Sequence, residues 1–305
     1  MPGTPIPLAV LMDIPWSYAR SIERRYGEVG RSFIETLPAR IEEFLRRWDL
    51  RPTAEARSGA MALVLPVLQI NGTPASLKIP FLNEETMGEP YALRAWDGGG
   101  SVRLLRHDTT TGLMLLEQLD SSRTLTRLAW KDTRRAVEVA AELLARLTSV
   151  RAPEHIPRLG DVAQGMISRS PALLHILQGD DLRLARNCLA ALIEVTDVPG
   201  NRLLHHDLHF GNVLGAERER WLAIDPMPLA GDPGFDLIEI ISSFFVREEV
   251  KWRFDLLTEV LELDRDRARA WTLAGILEKI LAVPEDGGFR IATELREVAA
   301  LLSEK

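Results

Sequence analysis

A change of texture along the chain restricts the fold more than any single motif. Between residues 55 and 119 the sequence is written in short apolar runs: MALVLPVLQI at 61 to 70, ASLKIPF at 75 to 81, SVRLLR at 101 to 106 and GLMLLE at 112 to 117. Asn71-Gly72 separates the first two and predicts a tight hairpin, because these residues accept the positive φ such turns need. Pro66, inside the first run, suits an edge strand or a bulge. A short helical pattern from Glu84 to Trp96 follows, ending at Asp97 and three glycines that read as a flexible turn. From Leu128 onward the apolar spacing becomes helical over 131 to 149, 163 to 177, 180 to 195, 235 to 249 and in pieces beyond 250. The exception is a second hairpin, Val213-Leu214 with Trp221 to Ile224, joined by GAERER. A small antiparallel sheet with one helix, followed by a larger helical body holding one hairpin, fits few architectures.

Ahead of the sheet, residues 16 to 50 read as helix, with Ile41, Phe44, Leu45 and Trp48 recurring at three- and four-residue steps. The expected organisation is α+β in two lobes. The first covers 1 to 118, with a helical extension to 52 and a sheet from 53; the second, mostly helical, covers 119 to 305.

The net charge of −7 argues against a nucleic-acid partner, which needs clustered Lys and Arg, and would suit a cationic substrate, although solubility explains it equally. Cys188 is the only cysteine, so neither a disulfide framework nor a cysteine-based zinc cluster is available. The opening MPGTPIPLAVLMDIPW lacks a basic leader, and no apolar run reaches the roughly 20 residues of a membrane span. A cytoplasmic protein without a membrane partner is expected, and the crowding of C-terminal helices points to a monomer.

The chemistry concentrates in LLHHDLHFGN, residues 203 to 212. If 213 to 214 pairs antiparallel with 221 to 224, Asn212 and Asp225 emerge side by side at the open end of the hairpin. An amide oxygen and a carboxylate so placed suit a hard cation such as Mg²⁺. Asp207, on the loop leading in, is a second carboxylate that can orient a hydroxyl and accept its proton. Base, amide and metal-binding carboxylate in this order make a phosphoryl-transfer set. The rival reading of HHDLH is a zinc or di-metal hydrolase using His205, His206 and His209. Such centres recruit further ligands, and the other histidines, His107, His155 and His175, stand in unremarkable contexts.

The segment His205 to Asn212 resembles the H-x-D-x-x-x-x-N catalytic loop of the aminoglycoside phosphotransferase and choline kinase group, relatives of the protein kinases. Ile224-Asp225-Pro226 stands where that group has its metal-binding aspartate, and GDPGFDL at 231 to 237 resembles its G-D-P-x-x-D-L segment. Together with RRWDLRP near residue 50 and ALRAWDGGGSVRLL at 92 to 105, the chain is most similar to the streptomycin 6-kinase and hydroxyurea kinase branch.

The resemblance implies a two-lobed, protein-kinase-like fold with ATP and Mg²⁺ as cofactors. It implies Asp207 as the base and Asn212 and Asp225 as metal ligands. Lys78 then engages phosphate, paired with Glu89, in whose place Glu84 or Glu85 on the same helix could stand, and Ser58-Gly59 forms a phosphate-covering loop with only one glycine. The backbone of Glu117 and Leu119 holds adenine. His205 and Asp232 brace the catalytic loop, and His206 and His209 pack or line it. Asp236 is expected to cap the helix beginning near Phe235; with His209 and Glu239 it is also a candidate for acceptor contact. Residues 231 to 262 hold eight Asp or Glu against three Lys or Arg, so that stretch is either an acidic wall for a cationic sugar or a solvated face. Met227 stands where a basic residue is expected in some members of the branch. The implied acceptor is an aminoglycoside, streptomycin first; hydroxyurea, a sugar or another small metabolite is the alternative, and a non-catalytic nucleotide-binding module the third reading.

Overall fold

Helix α1, Trp16–Arg47, bends sharply at Gly27, where φ is +57°. Its apolar positions Tyr18, Ile22, Phe33, Leu37, Ile41, Phe44 and Leu45 are buried, as the three- and four-residue spacing requires. They pack on Leu63, Leu65, Val67, Ala75, Leu77, Ile79, Leu113 and Leu115, the inward residues of an antiparallel sheet. The computed structural model describes residues 14–84, 86–282 and 291–303; the first part of the expected helical extension and Glu85 lie outside the described residues.

The sheet contains β1 (Arg51–Pro52), β2 (Arg57–Ser58), β3 (Ala62–Leu68), β4 (Pro74–Pro80), β5 (Leu104–His107) and β6 (Met114–Glu117). Its order is β1-β3-β4-β6-β5, with β2 also paired to β3. Helix α2, Glu89–Trp96, lies in sequence between β4 and β5. Two local expectations change. Only Gly72 of Ile70-Asn71-Gly72 takes a positive φ, +80°, and Gly72 N–H donates to Gln69 O at 2.9 Å. The hairpin therefore closes through a longer turn with glycine in the left-handed place. Pro66 sits in an unbulged register opposite Ser76; β1 pairs with residues 67 and 68 and β2 with 63 and 64, so the proline falls at the break between these two short strands.

The chain divides into two compact units. One holds the described residues up to Gly98 together with Val102–Leu119, and the other holds Gly99–Ser101 with those from Asp120 onward. The glycine run does more than turn the chain: Gly100 O accepts from Ala223 N–H at 2.9 Å, and Ser101 forms a parallel bridge with Ala223.

In the second unit β7 (Asp120–Thr124) joins the hairpin of β9 (Val213–Gly215) and β10 (Trp221–Ala223), while β8 (Arg202–Leu204) pairs with β11 (Leu229–Gly231). The helices are α3 (Leu125–Ala129), α4 (Thr133–Thr148), α5 (Leu159–Ile176), α6 (Gly179–Val195), α7 (Leu237–Ser242), α8 (Val250–Val260), α9 (Arg265–Leu281) and α10 (Thr293–Ser303). No helix among the described residues is long and apolar enough to cross a membrane.

The helix expected over 235 to 249 ends early, at Ser242. Phe244 has φ +47°, and the fully buried Arg253 takes over the helix's open carbonyls. Its Nη1 donates to Ser243 O at 2.6 Å and Ile241 O at 3.1 Å, and its Nη2 to Phe244 O at 3.1 Å and Glu249 Oε2 at 3.0 Å. Arg253→Leu should lower the unfolding free energy by about 3–5 kcal/mol, the cost of breaking a buried ionic network from one side. A urea titration showing a loss under about 1 kcal/mol would mean that water satisfies these carbonyls instead.

Candidate functional site

In the first unit the alternation of β4 turns Leu77 and Ile79 toward α1 and Lys78 to the opposite face. Lys78 is in register with Val64 on β3 and Met114 on β6, so it stands in the middle of three strands. Its Nζ lies 2.6 Å from both carboxylate oxygens of Glu89, at the start of α2, with the two residues 5% and 2% exposed. An ammonium removed from water this far requires such a partner. Glu84 is exposed in the preceding turn, which settles the pairing on Glu89; Glu85 is outside the described residues.

Ser58 and Gly59 are exposed at the β2–β3 turn, and Gly59 N–H donates to Ala62 O at 2.9 Å. That amide serves the turn, so this segment is a closed hairpin rather than an open glycine loop. Glu117 N–H likewise donates to Arg103 O at 3.0 Å, and Glu117 Oε1 accepts from Arg103 N–H at 2.8 Å. Leu119, half-buried, follows it at the end of this unit.

In the second unit two small sheets frame the loop 205 to 212. It leaves β8 beside the start of β11, where Leu204 pairs with Leu229, and enters β9 beside the end of β10, where Ala223 pairs with Val213. Ile224 N–H donates to Asn212 O at 2.9 Å, so Asp225 follows directly across from Asn212, as the hairpin geometry predicts. Asn212 Nδ2 donates to Asp207 O and to Asp207 Oδ2, both at 2.8 Å. This fixes the amide and leaves Oδ1 as the oxygen Asn212 has to offer. Oδ1 and the carboxylate of Asp225, one residue past the backbone bond, are oxygens of the kind a hard divalent cation takes.

Asp207 is partly buried, and burial raises its pKa to about 6; neighbouring Glu239 adds to this, while His209, Lys279 and the Asn212 hydrogen bond pull the other way. His209 Nδ1 accepts from Gly211 N–H at 2.9 Å, and its Nε2 lies 3.9 Å from Asp207 Oδ2. The buried His205 donates from Nε2 to Ile224 O at 3.0 Å and accepts Asp207 N–H at Nδ1, 3.3 Å, so it braces the loop as a neutral ring. Burial drives its pKa down to about 3. His206 Nε2 meets Glu278 Oε2 at 2.8 Å. Each histidine of HHDLH is thus engaged within the protein, and among the described residues no group of three or more His, Cys, Asp or Glu side chains is placed to hold a metal.

Two expectations exchange places. Asp236, read as a helix cap and an acceptor contact, is buried and makes no cap with α7. Its Oδ2 accepts His205 N–H at 2.8 Å and its Oδ1 accepts His206 N–H at 3.0 Å, which commits the carboxylate to the loop's backbone. Asp232, read as the brace, instead accepts Gly234 N–H at 2.8 Å and pairs with Arg267 at 2.6 Å. Glu239 is paired with Lys279 at 2.5 Å. Asp255 is bonded to Arg265 and Glu249 to Arg253 and Arg134, so several of the acids between 231 and 262 are paired with cations of the same chain. Met227 enters the network through its backbone: its N–H donates to His205 O at 3.0 Å.

The model of the aminoglycoside/hydroxyurea antibiotic resistance kinase family matches residues 47–287. The chain belongs to that family. It is 53% identical to a hydroxyurea phosphotransferase of Kitasatospora aureofaciens, over 96% of this chain and 86% of that one. It is 48% identical to a streptomycin 6-kinase of Streptomyces glaucescens, over 91% of this chain and 92% of that one. Among solved structures, a choline/ethanolamine kinase family protein from Mesorhizobium loti superposes with a TM-score of 0.55 at 18% identity, covering 87% of this chain and 95% of that one. A choline kinase from Streptococcus pneumoniae gives 0.55 at 14% identity, covering 88% and 97%. These place this resistance-kinase chain in the kinase-like fold.

Glu278 is the residue of this family member that sequence reasoning missed. It sits late in α9 with no local motif, and only tertiary packing brings it to the loop. Gly234 and Gly275 allow that approach: a Cβ on Gly234 would lie 2.9 Å from Ala268 Cα, and one on Gly275 would lie 3.2 Å from Phe235 O. Asp236→Ala is expected to cost about 2 kcal/mol of stability by orphaning one buried and one part-buried amide and to lower kcat about 10²-fold by loosening the loop that carries Asp207. Asp232→Ala should cost stability of about 1–2 kcal/mol with kcat nearly kept. Equal kcat losses in paired stability and turnover measurements would contradict the exchange of roles.

Proposed function

We propose that this kinase transfers the γ-phosphoryl group of ATP, with Mg²⁺, to a hydroxyl of an aminoglycoside, streptomycin first. The observation that carries the reaction type is Asp207 held by Asn212 within one loop, with Asp225 directly across the hairpin. Asp207 orients the acceptor hydroxyl and takes its proton as the oxygen bonds to the γ-phosphorus and the bond to the β–γ bridging oxygen breaks. Asn212 and Asp225 would hold the cation, whose chemistry there would be to offset the charge of the phosphate oxygens. Lys78, fixed by Glu89, engages the α and β phosphates as a point charge, and the segment from Glu117 to Leu119 offers backbone groups to adenine. Ser58 remains a candidate phosphate contact through its hydroxyl. The partners are then small molecules, and the protein is read as a cytoplasmic monomer.

The acceptor choice is supported by the similarity to streptomycin 6-kinases of Streptomyces glaucescens and Streptomyces griseus, at 48% and 45% identity. A phosphate adds negative charge and bulk to a polycation, which weakens its hold on an anionic target. The 53% identity to a hydroxyurea phosphotransferase favours hydroxyurea as the second reading.

A coupled ATPase assay over streptomycin, other aminoglycosides, hydroxyurea and simple sugars tests this directly. Turnover should be fastest with streptomycin; preference for hydroxyurea would support the second reading, and MgATP binding without turnover a nucleotide-binding module. Asp207→Asn should lower kcat by at least about 10²-fold with the fold retained. Near-normal turnover would remove Asp207 from its role. Asp225→Ala should abolish Mg²⁺-dependent nucleotide binding, and calorimetry showing unchanged MgATP affinity would count against the metal assignment.

A further inference from the structure

Phosphoryl transfer as proposed requires Asp207 and Asp225 to keep a fixed relation although they lie on different segments. Backbone bonds supply part of it: Ile224 N–H to Asn212 O and Met227 N–H to His205 O. His206 supplies the rest. Its backbone takes φ +61°, a left-handed conformation that residues with a Cβ adopt only where the surroundings impose it. Here Asp236 Oδ1 accepts its N–H at 3.0 Å. The ring stacks on Phe235 with centroids 5.4 Å apart, and its Nδ1 lies 3.2 Å from Met227 O, two residues past Asp225. The other nitrogen, Nε2, lies 2.8 Å from Glu278 Oε2 near the end of α9.

A carbonyl and a carboxylate only accept hydrogen bonds, whereas a neutral imidazole has a single N–H. Both contacts are satisfied together only by the doubly protonated ring.

We propose that His206 is a positioning residue for phosphoryl transfer: its ring, bonded at both nitrogens, ties the Asp207 loop to the Asp225–Met227 segment and, through Glu278, to α9. The inference rests on the reading of Asp207 as base and Asp225 as cation ligand. Neither His206 nor Glu278 is required to touch a substrate. The charged and titratable groups around the ring are Glu278 on α9, Asp236 before α7, Glu239 on α7, itself paired with Lys279 of α9, and His205, Asp207 and His209 on the loop. Burial pulls the ring's pKa down, but Glu278, Asp236 and Glu239 together outweigh it and raise the value to about 9.

Glu278→Gln removes the charge and keeps the shape. Its kcat is expected to fall about tenfold or more while both KM values stay within about threefold, since a displaced base slows chemistry without weakening binding. The alkaline limb of its kcat profile should move to lower pH by about one unit or more, because the ring loses its second proton earlier without the carboxylate. His206→Asn, which tolerates the left-handed backbone, should lose about 10²-fold in kcat. The double variant should be no slower than His206→Asn alone. If His206→Asn loses its cooperative unfolding transition, Glu278→Gln carries the test.

Imidazole nitrogen NMR gives a readout independent of turnover: both ring nitrogens of His206 should be protonated at neutral pH, with the midpoint lowered in Glu278→Gln. An unprotonated His206 nitrogen at neutral pH would overturn the proposal. So would a Glu278→Gln enzyme with kcat within about twofold of the parent and an unmoved alkaline limb. A parent protein that phosphorylates no acceptor while its His206 spectrum is as expected would sink the kinase reading, and with it a role in phosphoryl transfer, but not the ring's bonding.

Discussion

Two consecutive amides, those of His205 and His206, share one buried carboxylate, and the loop 205 to 212 takes its shape from that bond pair. An extended strand would point successive N–H groups to opposite sides. Asp236 receives both, so the chain has already left strand geometry at His205, and the left-handed φ of His206 then turns the peptide that follows. The backbone leaving His206 is thereby aimed, and Asp207 is the first side chain on it. Asn212 then closes the loop from the far end by bonding both the carbonyl and the carboxylate of Asp207. The proposed base is therefore held through its own main chain on one side and its own side chain on the other.

The interior of this protein contains charge in several places, and each charge is answered at close range. Lys78 meets Glu89, Arg253 meets Glu249 and a fan of carbonyls, and His206 meets Glu278. Buried pairs of this kind seldom add much net stability, because desolvation consumes most of the attraction. Their value lies in direction. A hydrophobic substitute for Lys78 would pack on Val64 and Met114 without presenting an ammonium, and one for Arg253 would leave the end of α7 to fray.

The local part of the site was readable in the sequence because its geometry is local. A hairpin of known ends puts Asn212 opposite the segment holding Asp225, and strand alternation separates Lys78 from Leu77 and Ile79. The two-lobed, kinase-like α+β fold followed from the same texture together with the resemblance carried by residues 203 to 237. What was not readable depends on which helix packs where. Asp232 and Asp236 lie in one short segment of similar composition, and only the approach of Arg267 on α9 sorts one to an ion pair and the other to the loop. Glu278 carries no signal beyond its place in a helix. The break at Phe244 was hidden because Arg253, which causes it, belongs to the next helix and reads there as an ordinary exposed charge. The acidic count between 231 and 262 stayed ambiguous for the same reason, since several of its partners lie on other elements.

The bridge between Ser101 and Ala223 bears on how the chain is assembled. During synthesis Gly99–Ser101 emerges with the first sheet still incomplete, and the strand it joins is made only after several helices of the second unit have followed. Until then, the backbone of that segment must be satisfied by water. A fragment ending near Leu119 would carry the same three residues with no strand to receive them, and β5 would have to reach β6 from an unanchored lead-in. The second unit, for its part, completes the edge of its hairpin with residues borrowed from far upstream, so neither piece of chain is self-sufficient when cut at the boundary suggested by compactness alone.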